Sequence, residues 1–81
     1  AYQAGQQLFQ QGMEAASEYR TAEAMSLYTK SFEINPNPAP LINRAKLYRW
    51  RLLFAEAIQD LETAKRLDQQ QGNEFSVVLV V

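Results

Sequence analysis

The side chains available for chemistry in this sequence of 81 residues are carboxylates, hydroxyls and amines, because it contains no cysteine and no histidine. Thiol chemistry, imidazole acid–base catalysis and the commonest zinc ligands are therefore excluded. Glu56 and Asp60 are spaced i, i+4 on a predicted helix, but no third ligand is spaced to join them at a metal ion. Carboxylates spread over solvent-exposed helix faces explain the acidic residues better. We expect no catalytic residues, no enzyme activity, no metal site and no cofactor.

One stretch departs from the near-neutral composition of the chain, whose net charge is −1. No acidic residue occurs between Glu33 and Glu56, and this interval holds four basic residues, Arg44, Lys46, Arg49 and Arg51. Four cations on one helix are a thin electrostatic footprint for nucleic acid, and Trp50 alone is a poor stacking platform. We therefore expect no nucleic-acid partner.

Membrane insertion is not expected either, because the sequence contains no apolar run close to about 18 residues. The lack of cysteine does not decide between compartments, and we favour the cytoplasm. The missing first Met and the apolar end of the sequence favour an excised or processed chain.

The elements that would position these side chains form an internal repeat. From Thr21 to Pro36, small and apolar residues recur at i, i+3, i+4 and i+7, the spacing of one helix face. A shift of 33 residues preserves residue size along the chain. It pairs Leu8 with Leu41, Gly12 with Ala45, Ala24 with Ala57, Met25 with Ile58, Tyr28 with Leu61 and Ser31 with Ala64.

Four helices are predicted, over residues 2–16, from Thr21 to the Asn35-Pro36 pair, over 38–51 and over 54–68. The break after Arg51 has no Gly, Pro, Asn or Asp to mark it. Local signals favour one long helix over 38–68, and only the repeat register favours a turn there.

Single residues refine this prediction. Gly12 within the first helix indicates close approach of a neighbouring helix. Asn37 and Pro38 are suited to the N-cap and first position of the third helix. The fourth helix repeats the apolar stripe of the second, through Phe54, Ala57, Ile58, Leu61, Ala64 and Leu67.

The last segment is ambiguous. Its run of five branched apolar residues, 77–81, is typical of a strand. The repeat register instead places Leu79 34 residues after Ala45, which favours a further helix over about 73–81. We interpret the segment as a helix, and a strand that pairs with another chain is the alternative. The whole chain, 1–81, then forms one domain, with repeats over about 3–36 and 37–69.

Helix–turn–helix units of this length, with small residues where the helices cross and a closing proline, resemble the tetratricopeptide repeat (TPR). Residues 5–36 match through Leu8, Gly12, Ala24, Tyr28, Ser31 and Pro36, and residues 38–69 through Ala45, Tyr48, Phe54, Ala57, Leu61 and Ala64. The chain departs from the family at three positions. Tyr19 and Leu52 stand where glycine is usual in the turn of each repeat, and Gln69 replaces the second closing proline.

The resemblance implies an all-α fold, in which antiparallel helix hairpins stack as a short right-handed α-solenoid. It also implies a protein-interaction scaffold, in which the first helix of each pair lines a concave face that contacts peptides. Apolar anchors beside fixed cations suit a peptide or partner protein with apolar and acidic residues. Carried over position by position, the candidate partner-binding residues are Phe9, Met13, Ile42, Asn43, Lys46, Arg49 and Trp50, with Gln6 and Ala16 beside them.

Two alternatives stay open. Trp50 could pack on a neighbouring turn while the cations only solvate their helix. The chain could also be a structural segment of a longer array that forms homo-oligomers through exposed repeat ends. One helix pair cannot bury its apolar stripe alone, and about three repeats are normally needed for stability.

Overall fold

The computed structural model describes residues 2–70, which form four helices and contain no strand. They are α1 (Tyr2–Ser17), α2 (Thr21–Ile34), α3 (Pro38–Trp50) and α4 (Phe54–Gln70). The all-helical prediction is confirmed for this part of the chain. The helix or strand predicted over 73–81 lies outside the described residues. None of the four helices is both long and apolar enough to cross a membrane.

The helix bounds agree with the predicted ones to within two residues, and the break after Arg51 is present. The fourth helix continues to Gln70, three residues beyond the repeat equivalent of Ile34, where α2 ends. Proline stops α2 because Pro36 disfavours helical backbone at Asn35. Gln69 stands one repeat later and imposes no such restriction, so α4 gains almost one further turn.

The turns inside the two hairpins share one backbone conformation. Tyr19 has a φ of 62° and Leu52 a φ of 63°, both in the left-handed region. In each turn the amide of the following residue donates to the carbonyl five residues earlier. Arg20 donates to Ala15 at 2.9 Å, and Leu53 donates to Tyr48 at 2.8 Å. This is the Schellman ending of a helix, which glycine usually occupies. The second turn carried no composition signal because leucine fills the glycine position.

The third helix begins as its sequence predicts. Asn37 lies at the N-cap, and its side-chain oxygen accepts a hydrogen bond from the backbone N–H of Ala39 at 3.1 Å. Pro38 occupies the first helical position, where the missing N–H has no partner to lose.

Each helix packs on the next one along the chain, α1 on α2, α2 on α3 and α3 on α4. Ala15, Ala24 and Tyr28 form a buried cluster between α1 and α2, and Leu47 of α3 packs against it. Gly12 is required where α1 meets the Tyr28 ring, because an added Cβ would lie 2.6 Å from the ring carbon Cε1. The predicted close approach at Gly12 is therefore confirmed.

Two expectations about exposure are wrong. The carboxylates do not all face solvent, because Asp60 and Asp68 are buried, with 6% and 2% of their surface exposed. The apolar stripe of α4 is not all buried, because Phe54 and Ile58 are more than half exposed. The small residues of that stripe, Ala57 and Ala64, are buried, whereas the large residues Phe54 and Ile58 remain open to solvent.

Candidate functional site

A groove between α3 and α4 is a concave site that brings together three of the seven predicted contact residues. Its volume is about 140 Å³, below the range of about 300–1,000 Å³ typical of small-molecule sites. It therefore suits a few side chains of a larger partner better than a separate small ligand. Its lining residues are Ile42, Ala45, Lys46 and Arg49 from α3 and Ala57 and Leu61 from α4.

The groove has an apolar floor and a cationic rim. Ala45 and Ala57 are buried where the two helices cross, and their small side chains leave the depression above them. Leu61 forms a wall and is 36% exposed. Lys46 and Arg49 lie one turn apart on α3, both exposed, and neither forms an ion pair with any residue of the range 2–70. Two unneutralised cations beside apolar surface favour a ligand that carries carboxylates.

Arg44 does not contribute to this positive surface, although it belongs to the same basic stretch. Its guanidinium forms an ion pair with Asp60 of α4, and it also lies 5.6 Å from the centroid of the Tyr48 ring. The hydrogen bonds to Asp60 raise the pKa of Arg44 above its usual value, so it stays charged at every pH at which proteins fold. The charges of this pair therefore cancel inside the structure.

Two predicted contact residues face the first hairpin instead of the groove. The amide of Asn43 donates to the hydroxyl of Tyr28, at 3.5 Å. The Trp50 ring stacks on the Tyr19 ring, with centroids 6.2 Å apart and planes at 27°. Trp50 does pack on a neighbouring turn, as the alternative interpretation proposed, but 67% of its surface remains exposed.

Two further predicted residues lie on α1. Phe9 is half-buried and packs against Tyr28, with ring centroids 5.7 Å apart. Met13 is 42% exposed. The structure thus brings Ile42, Lys46 and Arg49 into one groove and leaves the other four predicted residues outside it.

Sequence reasoning missed the groove residues Ala45, Ala57 and Leu61 as parts of a site. All three were identified only as positions that maintain the fold. The repeat register contained the signal that would have identified them. The crossing of α1 and α2 in the first hairpin has an equivalent 33 residues later, where α3 crosses α4.

Other places in the described range support a site less well. A second depression involves one face of α4 only and has no opposing wall. No group of three or more potential metal ligands occurs within residues 2–70. One carboxylate oxygen of Asp68 is buried without a hydrogen-bond partner in the same range, and a single such oxygen does not make a site.

No protein-family model, no curated protein and no solved structure matches this chain. The resemblance to the TPR family therefore depends on the sequence pattern and on the two helix hairpins that accompany it.

Proposed function

We propose that this chain is a TPR-like protein-interaction scaffold that binds a peptide or a partner protein and catalyses no reaction. In this proposal the two hairpins belong to a short right-handed α-solenoid. Their repeated turns, 33 residues apart at Tyr19 and Leu52, support that architecture.

The observation that carries the proposed function is the pairing of apolar and cationic groups in the α3–α4 groove. Ile42 and Leu61 offer apolar contact, and Lys46 lies beside them without a carboxylate partner in the described range. Met13 and Trp50 are exposed enough to extend the contact surface beyond the groove. The partner that fits has apolar anchors and acidic residues.

Selection from a displayed library of random peptides tests this function. The wild-type chain should enrich peptides that contain apolar and acidic residues. Calorimetry with the enriched peptides should then show that binding is lost in the double variant Lys46→Glu, Arg49→Glu, while circular dichroism shows unchanged helicity.

A matched control separates a local effect from one of net charge. Lys30→Glu with Arg66→Glu changes the net charge by the same amount, at exposed positions of α2 and α4 that do not line the groove. This control should bind like the wild type. Equal binding by all three proteins would refute the proposed binding surface.

The second candidate function is self-association as a structural segment. Phe54 and Ile58 favour it, because 53% and 56% of their surfaces are exposed on one side of α4. A dependence of the sedimentation coefficient on concentration, without binding of any selected peptide, would favour this function over the first.

A further inference from the structure

The first hairpin shows what the equivalent of the α3–α4 groove can hold. Helix α3 packs against this hairpin through Asn43, Leu47 and Trp50, which are spaced i, i+4 and i+7 and so share one helix face. Leu47 packs on the buried cluster that contains Tyr28, and Asn43 bonds to the Tyr28 hydroxyl. Helix α3 thus covers Tyr28 at the crossing of α1 and α2, whereas Met13 on the rim of this crossing stays 42% exposed.

The groove between α3 and α4 is the same site one repeat later. Each of its six lining residues lies 33 positions after a residue of the first hairpin, and these counterparts are Phe9, Gly12, Met13, Ala16, Ala24 and Tyr28. Tyr28 is 2% exposed beneath α3, whereas its equivalent Leu61 is 36% exposed. No helix of the described range covers the second site.

The two sites differ in charge on their rims. Met13 and Ala16 of the first site are replaced by Lys46 and Arg49 in the second. The two cations are three residues apart, and therefore lie on one side of α3. An occupant of the second site needs carboxylates about one turn apart beside its apolar stripe, which α3 itself does not have.

Segments of this chain match that requirement poorly. Residues 71–81 contain one acidic residue, Glu74, against six apolar ones. In a second copy, α1 has Glu14 as its one acidic residue. Helix α4 exposes Phe54 and Ile58, but Asp60 is paired with Arg44, and the exposed carboxylates Glu56 and Glu62 are six residues apart. The occupant that the charges of the rim favour is therefore a partner helix with carboxylates at that spacing.

We infer that the α3–α4 groove is a docking site for an amphipathic α-helix of a partner protein, with acidic residues that pair with Lys46 and Arg49. The inference rests on the proposed binding function and specifies its site and the conformation of its ligand. The partner helix takes the position on the second hairpin that α3 takes on the first.

Three labelled peptides test the inference by fluorescence anisotropy against the complete chain. The first is a helix of about 18 residues with leucines at i, i+3, i+4 and i+7 and glutamates beside them. The second has lysine in place of each glutamate. The third keeps the glutamates but has a central proline, which breaks the helix without changing its charge.

The acidic helix should bind the wild type, and the affinities of the lysine and proline peptides should be lower by about tenfold or more. Lys46→Glu with Arg49→Glu should reverse the preference between the acidic and the lysine peptide. The variant Lys30→Glu, Arg66→Glu should bind each peptide with the same affinity as the wild type, since neither residue lines the groove.

Several results would overturn the inference, and each would show which part of it is wrong. Equal binding of the acidic and proline peptides would refute a helical ligand and leave the proposed function intact. Binding that persists in Lys46→Glu, Arg49→Glu would refute the location. If library-selected peptides bind but the acidic helix does not, the inference fails alone, whereas failure of both kinds of peptide refutes the proposed function too. A dimer that this variant dissociates would identify a second copy as the occupant.

The chain's own C-terminal segment has a separate test. Val78→Asp with Leu79→Asp should leave hydrogen exchange at the Leu61 amide unchanged if the groove awaits a partner. A faster exchange in this variant would identify residues 71–81 as the occupant and overturn the inference.

Discussion

Arg44 and Asp60 form a two-pronged ion pair between α3 and α4. The Nε of Arg44 donates to Oδ2 of Asp60 at 2.7 Å, and Nη2 donates to Oδ1 at 2.6 Å. The remaining nitrogen, Nη1, donates to the hydroxyl of Thr29 on α2, at 2.9 Å. One guanidinium therefore links three helices, and it fixes the second hairpin against the first. Because its exposed fraction is small, this pair contributes more than a surface ion pair does.

Removal of the carboxylate from this pair should destabilise the folded chain. Asp60→Ala leaves the Arg44 guanidinium in a largely buried position without its counter-charge, and we expect the free energy of unfolding to fall by about 2–4 kcal/mol. Urea denaturation measures this loss. The exposed Glu56→Ala on the same helix should change stability by less than about 0.5 kcal/mol.

A paired replacement checks the reason for that cost. Arg44→Met with Asp60→Leu removes both charges together and should cost less than Asp60→Ala alone. A double variant that is less stable than the single one would show that the charges themselves, and not the isolated cation, decide the effect.

Gly12→Ala should destabilise the chain, although alanine is the better helix former by about 1 kcal/mol. The new Cβ would lie 2.6 Å from the Tyr28 ring, so ring or helix must move, at a net cost of about 1–3 kcal/mol. The second hairpin suggests a second substitution that would restore stability, because it combines Ala45 with Leu61 at the positions equivalent to Gly12 and Tyr28. In a Tyr28→Leu background, Gly12→Ala should therefore be neutral or stabilising in thermal and urea unfolding.

Leu52→Gly should stabilise the chain by about 1 kcal/mol. Leucine with a φ of 63° is strained, whereas glycine adopts this conformation freely. Little packing is lost, because 73% of the Leu52 surface is exposed. Tyr19→Gly should increase the free energy of unfolding by less, since it also removes the stacking of the Tyr19 ring on Trp50. Arg51→Gly, at a φ of −90°, is the control and should give no gain in the melting temperature.

The exposed apolar side of α4 should cause weak self-association at high concentration. Phe54→Glu with Ile58→Glu should abolish it, because both side chains are more than half exposed and charges there prevent close contact. The same variant should keep the stability of the wild type within about 1 kcal/mol. Sedimentation velocity over a range of concentrations measures the association. A wild type that stays monomeric throughout would contradict this prediction.

The helices were predictable because periodicity and the repeat register both determine them. The turn at Leu52 was predictable in place but not in conformation, since a strained leucine leaves no signal in composition. Burial of Asp60 was missed because carboxylates normally face solvent. Its repeat equivalent is Leu27, an apolar residue of α2 that packs against the buried cluster of the first hairpin, and this equivalence was the available signal. Its partner, Arg44, lies on another helix, and a pairing between helices cannot be read from spacing along one of them.

The stack of Trp50 on Tyr19 joins the end of α3 to the turn of the other hairpin, and it involves the only tryptophan of the chain. Separation of the hairpins would bare one face of the indole without unwinding a helix. The emission spectrum of the unlabelled protein therefore reports on hairpin docking independently of helix content. Intact but separated hairpins could in this way be told apart from an unfolded chain.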